Sequence, residues 1–185
     1  SSKNPLSGVK QSAFAPVMPA EDPVMPHGTV SEIIPASSAE VFALVHDYGR
    51  RLEWDTLLSA AYLADGHTVA RQGAVSTCVG RRSLGSLALT TEYVSFDAPR
   101  LAAGKMIRGP WIFERWAASL KHEDLPNGES RITYAWQFTA RPRLLRWLCE
   151  PLLNVIFHWE TRKRLRALKS FLAAKTVHQS SAATS

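Results

Sequence analysis

The stretch SRITYAWQFTARPRLLRWLCEPLLNVIFHWETRKRLRALKSFLA, Ser130 to Ala173, changes its hydrophobic period once, and that change decides the fold. From Ser130 to Thr139 the apolar residues alternate. Ile132, Tyr134, Trp136 and Phe138 take one face, and Arg131, Thr133, Ala135, Gln137 and Thr139 take the other. A period of two over that length is a strand with one buried and one wet face, as in an antiparallel sheet. After Arg141-Pro142 the sequence turns helical from Arg143 to about Ala173. Its first half is apolar on most sides, through Leu144, Trp147, Leu148, Leu152, Leu153, Val155, Ile156, Phe157 and Trp159. Its second half sets Leu165, Leu168 and Leu172 against Arg162, Lys163, Arg164, Arg166 and Lys169. Such a helix has to lie against something large. Pro151 removes a backbone donor and is expected to kink it.

Working back from Ser130, short apolar runs are separated by turn signals. The runs are Leu58 to Leu63, Ala74 to Gly80, Leu84 to Phe96, Leu101 to Ile107 and Trp111 to Leu120. Asp65-Gly66, Asp97-Ala98-Pro99, Gly109-Pro110 and Pro126-Asn127-Gly128 punctuate them, as an antiparallel meander requires. Further upstream, Thr29 to Pro35 reads as a strand. Ser37-Ser38-Ala39-Glu40 then supplies a cap and a first-turn Glu for a short helix whose apolar stripe is Val41, Phe42, Leu44 and Val45. A second helical turn from Tyr48 to Leu52 leads to Trp54-Asp55. Five prolines before Gly28 mark residues 1–27 as a flexible arm, and the small polar residues of 176–185 as a disordered tail. The domain is then 28–175.

Length and composition agree with one domain: 185 residues, 45% hydrophobic and 21% charged, enough to bury a core without a metal or disulfide staple. The net charge of +6 is not spread evenly, because residues 141–175 carry nine basic and two acidic groups while the rest is close to neutral. A uniformly basic nucleic-acid binder is disfavoured on that ground. Cys78 and Cys149 lie far apart, with no metal-type spacing, which implies a reducing, cytoplasmic setting. No apolar run is long and uninterrupted enough for a signal peptide or a membrane-spanning helix.

One strand, two short helices, six strands and a long helix make an α+β, β-α-α-β6-α order, the helix-grip arrangement in which a curved antiparallel sheet of seven strands wraps around the last helix. On Ile34-Pro35-Ala36-Ser37-Ser38-Ala39-Glu40-Val41-Phe42, Trp54-Asp55, Asp97-Ala98-Pro99-Arg100, Asn127-Gly128-Glu129-Ser130-Arg131-Ile132 and Leu168-Lys169, the chain from about Gly28 to Leu172 resembles the START-like SRPBCC superfamily. Within it, the chain is most similar to the polyketide cyclase/dehydrase and lipid-transport group. These motifs mark fold positions rather than chemistry. The resemblance implies a hydrophobic cavity between sheet and helix that takes lipids, polyketides or related aromatic molecules, with some members catalytic and others only binding or carrying.

Candidate walls of that cavity are Trp54, Trp116, Tyr134, Trp136 and Phe138 on the sheet side and Leu152, Ile156 and Trp159 on the helix. Glu114 shares the parity of Ile112 and Trp116, so it is expected inward unless a bulge reverses it. An inward carboxyl there would be a general acid or base for an enolisable carbonyl, and His158 in the apolar half of the helix is a second candidate. The competing reading is a salt-bridged strand glutamate and an ordinary structural histidine. No GxSxG, HExxH, P-loop or GxGxxG is present, so no cofactor or metal is expected. Cations late in the last helix suit its dipole, but Arg141, Arg143 and Arg146 at its start do not. With Leu144 and Trp147 they read as an edge for an anionic membrane.

Three functions follow: binding or transport of a hydrophobic small molecule; a polyketide cyclase/dehydratase-type enzyme in the same cavity; or a protein-interaction module with a filled interior. Ligand identity and oligomeric state are not legible in the sequence.

Overall fold

In the computed structural model, which describes residues 27–182, seven strands form one antiparallel sheet. The elements are β1 (His27–Ile34), α1 (Ser38–His46), α2 (Arg51–Trp54), β2 (Leu58–Leu63), β3 (Val75–Gly80), β4 (Ala88–Asp97), β5 (Leu101–Arg108), β6 (Phe113–Asp124), β7 (Ser130–Ala140) and α3 (Arg146–Ala182). The strand order is β1-β7-β6-β5-β4-β3-β2, so every neighbour is consecutive in sequence except that the first strand pairs with the last. The expected helix-grip order is the observed one.

Local chemistry explains the ends. Ser37 caps α1: its hydroxyl accepts from the Glu40 backbone N–H, and the Glu40 carboxylate reaches back to the Ser37 N–H, the reciprocal box anticipated from Ser37 and Glu40. Asp124, at the end of β6, accepts from the Ser38 N–H at 2.8 Å and its hydroxyl at 2.9 Å, fastening α1 to the sheet. Register irregularities at Leu58/Ala60, Thr90/Thr91, Tyr93/Ser95 and Phe113/Arg115 add residues to one strand of a pair and so bend the sheet.

The alternation in β7 places Ile132, Tyr134, Trp136 and Phe138 in the core on the concave side. Trp136 lies opposite Gly28 of β1, where a Cβ would run into the indole ring, so only glycine leaves room for it. Leu165, Leu168 and Leu172 of α3 close the same core, and α3 packs against β1, β7 and α2. The helix runs on to Ala182, past the boundary expected at 175, because nothing after Pro151 is glycine or proline. The tail expected for 176–185 is therefore helical as far as the described residues reach, while the arm expected for 1–27 lies outside them apart from His27, which opens β1.

A second cluster gathers Phe42, Tyr48, Leu63, Ala70, Ala74, Tyr93 and Ala102. His46 and His122 lie against it with ring centroids 6.1 Å apart, each also meeting Phe42. His46 Nδ1 donates to the Phe42 carbonyl, while His46 Nε2 and both ring nitrogens of His122 have no hydrogen-bond partner. Burial lowers the pKa of His46 to about 3 and of His122 to about 4, so both rings are neutral in the folded protein.

Below pH ~6.5 the unfolded chain binds protons that the folded chain refuses, so stability is full above that value and falls as pH drops toward 4 and 3. Each imidazole should remove about 1–2 kcal/mol of unfolding free energy between pH ~8 and pH ~5. Urea denaturation across that range checks it, and His122→Leu should remove roughly half of the slope.

Candidate functional site

The concave face of the sheet and the first half of α3 enclose a cavity of about 300 Å³. Its walls are mainly apolar: Leu57, Leu58, Leu87 and Leu89 on one side, Ile112, Phe113, Trp116, Ala118 and Leu120 along β6 and its approach, and Leu153, Ile156 and Phe157 from α3. Leu87 and Ile156 line the cavity and are also exposed, so the space reaches the surface at both residues.

Polar side chains border the cavity at several points. Tyr48 and Tyr93 line the wall with their hydroxyls 3.0 Å apart. Burial raises the pKa of both, and of Tyr134, so all three keep their protons at neutral pH. The Cys78 thiol is pushed up by burial in the same way, which leaves it a poor nucleophile. Trp116 contributes a buried indole N–H with no hydrogen-bond partner. Thr91, Ser119, Thr161 and the Glu160 carboxylate complete the polar lining.

One wall is braced by an ion cluster. The Asp55 carboxylate, fully buried, accepts through one oxygen from Arg51 Nε at 2.9 Å and from Arg164 Nε at 2.7 Å. Arg51 also donates to the Val45 carbonyl, and its guanidinium lies 4.8 Å over Trp54 and 5.7 Å over Tyr48. Arg164 sits over Trp54 and Tyr134. Burial raises the Asp55 carboxyl above its usual value, against the pull of Arg51. Two guanidiniums on one oxygen keep it ionised at neutral pH. Burial opposes the Arg51 charge as well, but Asp55 outweighs it and Arg51 holds its proton more tightly than usual. Arg51 and Arg164 both reach the cavity wall.

The residues expected at the site divide. Trp116, Tyr134 and Ile156 line the cavity. Trp54, Trp136 and Phe138 are buried but belong to the core and the ion cluster rather than the cavity wall, with Trp136 Nε1 donating to Asn154 Oδ1 at 3.0 Å. Leu152 and Trp159 face outward, because the helix is apolar all round here and only one side meets the sheet.

Neither expected acid–base residue reaches the cavity. Phe113 pairs with Ala140 and Arg115 with Thr139, so Glu114 is the extra residue of a bulge, and the parity that pointed it inward is reversed. It is bonded to Arg143 at 2.9 Å and to Arg146. The hydrogen bond from Arg143, with Arg146 beside it, holds its carboxyl below the usual value. That pairing explains two of the three arginines at the unfavourable end of α3. His158 packs edge-on to Trp136 with Nε2 3.2 Å from Arg162 and lies off the cavity wall.

Sequence reasoning missed Arg51 and Arg164 as wall residues, and used Asp55 only as a marker of fold position. The one local signal was a Trp-Asp pair beside an arginine. Among the described residues no cluster of His, Cys, Asp or Glu has metal-site geometry, both cysteines are free, and no helix is long and apolar enough to cross a membrane.

Asp55→Asn leaves two buried guanidiniums uncompensated and should cost about 3–5 kcal/mol in chemical denaturation. Arg164→Met keeps the Arg51–Asp55 pair and should cost clearly less, by the same measurement.

Comparison with known proteins places this geometry. Residues 25–172 match the family model described as polyketide cyclase / dehydrase and lipid transport. No curated protein matches the chain. Among solved structures, the Zhui aromatase/cyclase from Streptomyces sp. R1128 is 12% identical with a TM-score of 0.70, over 82% of this chain and 96% of that one. TTHA0849 from Thermus thermophilus is 15% identical with a TM-score of 0.67, over 81% and 99%. A START superfamily protein from Mycobacterium smegmatis is 12% identical with a TM-score of 0.53, over 74% and 95%. At these identities the likeness is one of fold.

Proposed function

The chain belongs to the polyketide cyclase / dehydrase and lipid transport family, and from that premise we propose that it binds and carries a hydrophobic small molecule in the cavity between sheet and α3. The observation that carries this reading is an apolar-walled space of about 300 Å³ between sheet and α3, bordered at several points by polar side chains. The neutral Tyr48–Tyr93 pair and the guanidiniums of Arg51 and Arg164 line the same wall, so the cargo is an apolar, preferably aromatic or acyl, body with an oxygen-bearing end. The unpaired cysteines fit a reducing, cytoplasmic setting.

Glu160 supports a second reading, catalysis of the cyclase/dehydratase kind. Glu160 borders a cavity that also carries protonated tyrosines. A carboxylate that takes the proton from a carbon beside a ligand carbonyl, with a Tyr hydroxyl holding the developing enolate oxygen, is a proton-transfer arrangement.

Mass spectrometry of organic extracts of the purified protein should recover an apolar, oxygen-bearing compound. Ala118→Trp, which fills the space, should abolish binding of that compound and of the dye N-phenylnaphthylamine without unfolding the domain. Tyr93→Phe, which removes one hydroxyl from the wall, should weaken the extracted compound about tenfold and spare the dye, which needs no donor. Equal binding by Ala118→Trp and wild type would place the ligand elsewhere. Turnover of the compound that disappears in Glu160→Gln, with affinity retained, would select the catalytic reading.

A further inference from the structure

The first half of α3 carries an apolar stripe that faces away from the domain. Leu144 lies in the 3-10 turn just before the helix, and Leu148, Leu152, Val155 and Trp159 follow within it at steps of four, three and four, which aligns those four along one side. Their relative exposures are 88%, 56%, 63%, 66% and 60%. Trp147 beside them is 75% exposed, and Trp111, in the β5–β6 connection near Arg141 and Arg143, is 74% exposed. Scattered surface leucines need no explanation, but an aligned row of this kind does.

Charge identifies what covers it. Arg141 and Arg143 stand exposed at one end of the stripe, and Arg162, Lys163 and Arg166 at the other. Two of the acids nearby are committed elsewhere, Glu114 to Arg143 and Arg146 and Glu150 to the Ala140 N–H. A second copy of the chain would bring another basic helix to the same seam. An anionic bilayer instead offers acyl chains to the stripe, phosphates to the arginines, and the interfacial zone that tryptophan prefers for Trp111, Trp147 and Trp159. The helix is not apolar enough to span, so it lies in the surface.

We propose that this face docks on an anionic lipid surface, with the cavity mouth turned toward it. Ile156, which borders Val155 of the stripe and also lines the cavity, joins the two. Cargo then passes between bilayer and cavity along apolar surface. The docking stands on the stripe and its charges, while its role in loading rests on the cavity reading above.

The test is co-sedimentation of the full chain with phosphatidylcholine vesicles, with or without a third of phosphatidylglycerol, read together with tryptophan fluorescence. Binding to the anionic vesicles, a blue-shifted emission and weakening by salt are expected. The double variant Leu152→Glu/Val155→Glu should bind them at least about tenfold more weakly. Arg162→Glu/Arg166→Glu should lose the preference for phosphatidylglycerol. Both variants should bind N-phenylnaphthylamine as wild type does in the absence of vesicles, since none of these residues lines the cavity. Failure of wild type to bind anionic vesicles, or equal binding by Leu152→Glu/Val155→Glu, overturns the proposal. A wild-type dimer in sedimentation equilibrium that the same variant dissociates also overturns it, in favour of a second copy. Loss of dye binding by wild type in solution would instead count against the cavity reading and leave the vesicle result standing on its own.

Discussion

One buried carboxylate fixes where everything else sits. Asp55 holds Arg51 from its own turn and Arg164 from more than a hundred residues away, and Arg51 in turn holds the Val45 carbonyl in the last turn of α1. A charge removed from water is tolerated only when its partners are close and well aimed, so α1, α2 and α3 have little freedom to slide. Trp54, stacked by both guanidiniums, and Tyr134, under Arg164, extend the same constraint into β7. The distance between helix and sheet, and with it the width of the cavity, follows from this joint rather than from apolar packing alone.

The sheet supplies the complementary half of the shape. Its bulges curl the strands around α3, and each re-aims one residue as it does so. At Phe113/Arg115 the re-aimed residue is Glu114, which becomes an anchor for the start of α3 instead of a cavity acid. The walls that remain are mainly apolar, with hydroxyl and guanidinium groups among them. An interior of that kind holds a ligand by shape and orients it by one polar end.

The period of two in β7, the capping residues Ser37 and Glu40 and the turn signals between strands were legible because each is a local property of the chain. The facing of Glu114 was not, since an inserted residue shows only in the pairing of two strands. Leu152 and Trp159 misled for a related reason. A helix apolar on all sides carries no sequence signal for which side is buried, whereas Leu165, Leu168 and Leu172, set against charges, declared theirs. Arg164 could not be singled out among five neighbouring cations, because its partner is Asp55 and the sequence does not say that the two meet. His46 and His122 carry no sequence signal of their contact, which arises because the fold brings both rings against Phe42.

The two ends of α3 are held by different forces. Its second half is fastened by Leu165, Leu168 and Leu172 in the core. Its start is held largely by polar clamps around Ala140: Arg146 donating to the Ala140 carbonyl at 2.9 Å, Glu150 accepting from the Ala140 N–H at 2.9 Å, and Glu114 paired with the half-exposed and exposed arginines. Ions in solution screen the clamps and scarcely touch the core, while cooling and denaturants act chiefly on buried apolar contacts. Salt and temperature therefore act on opposite ends of one helix, and the roof of the cavity can loosen at its front edge while the domain behind it stays folded.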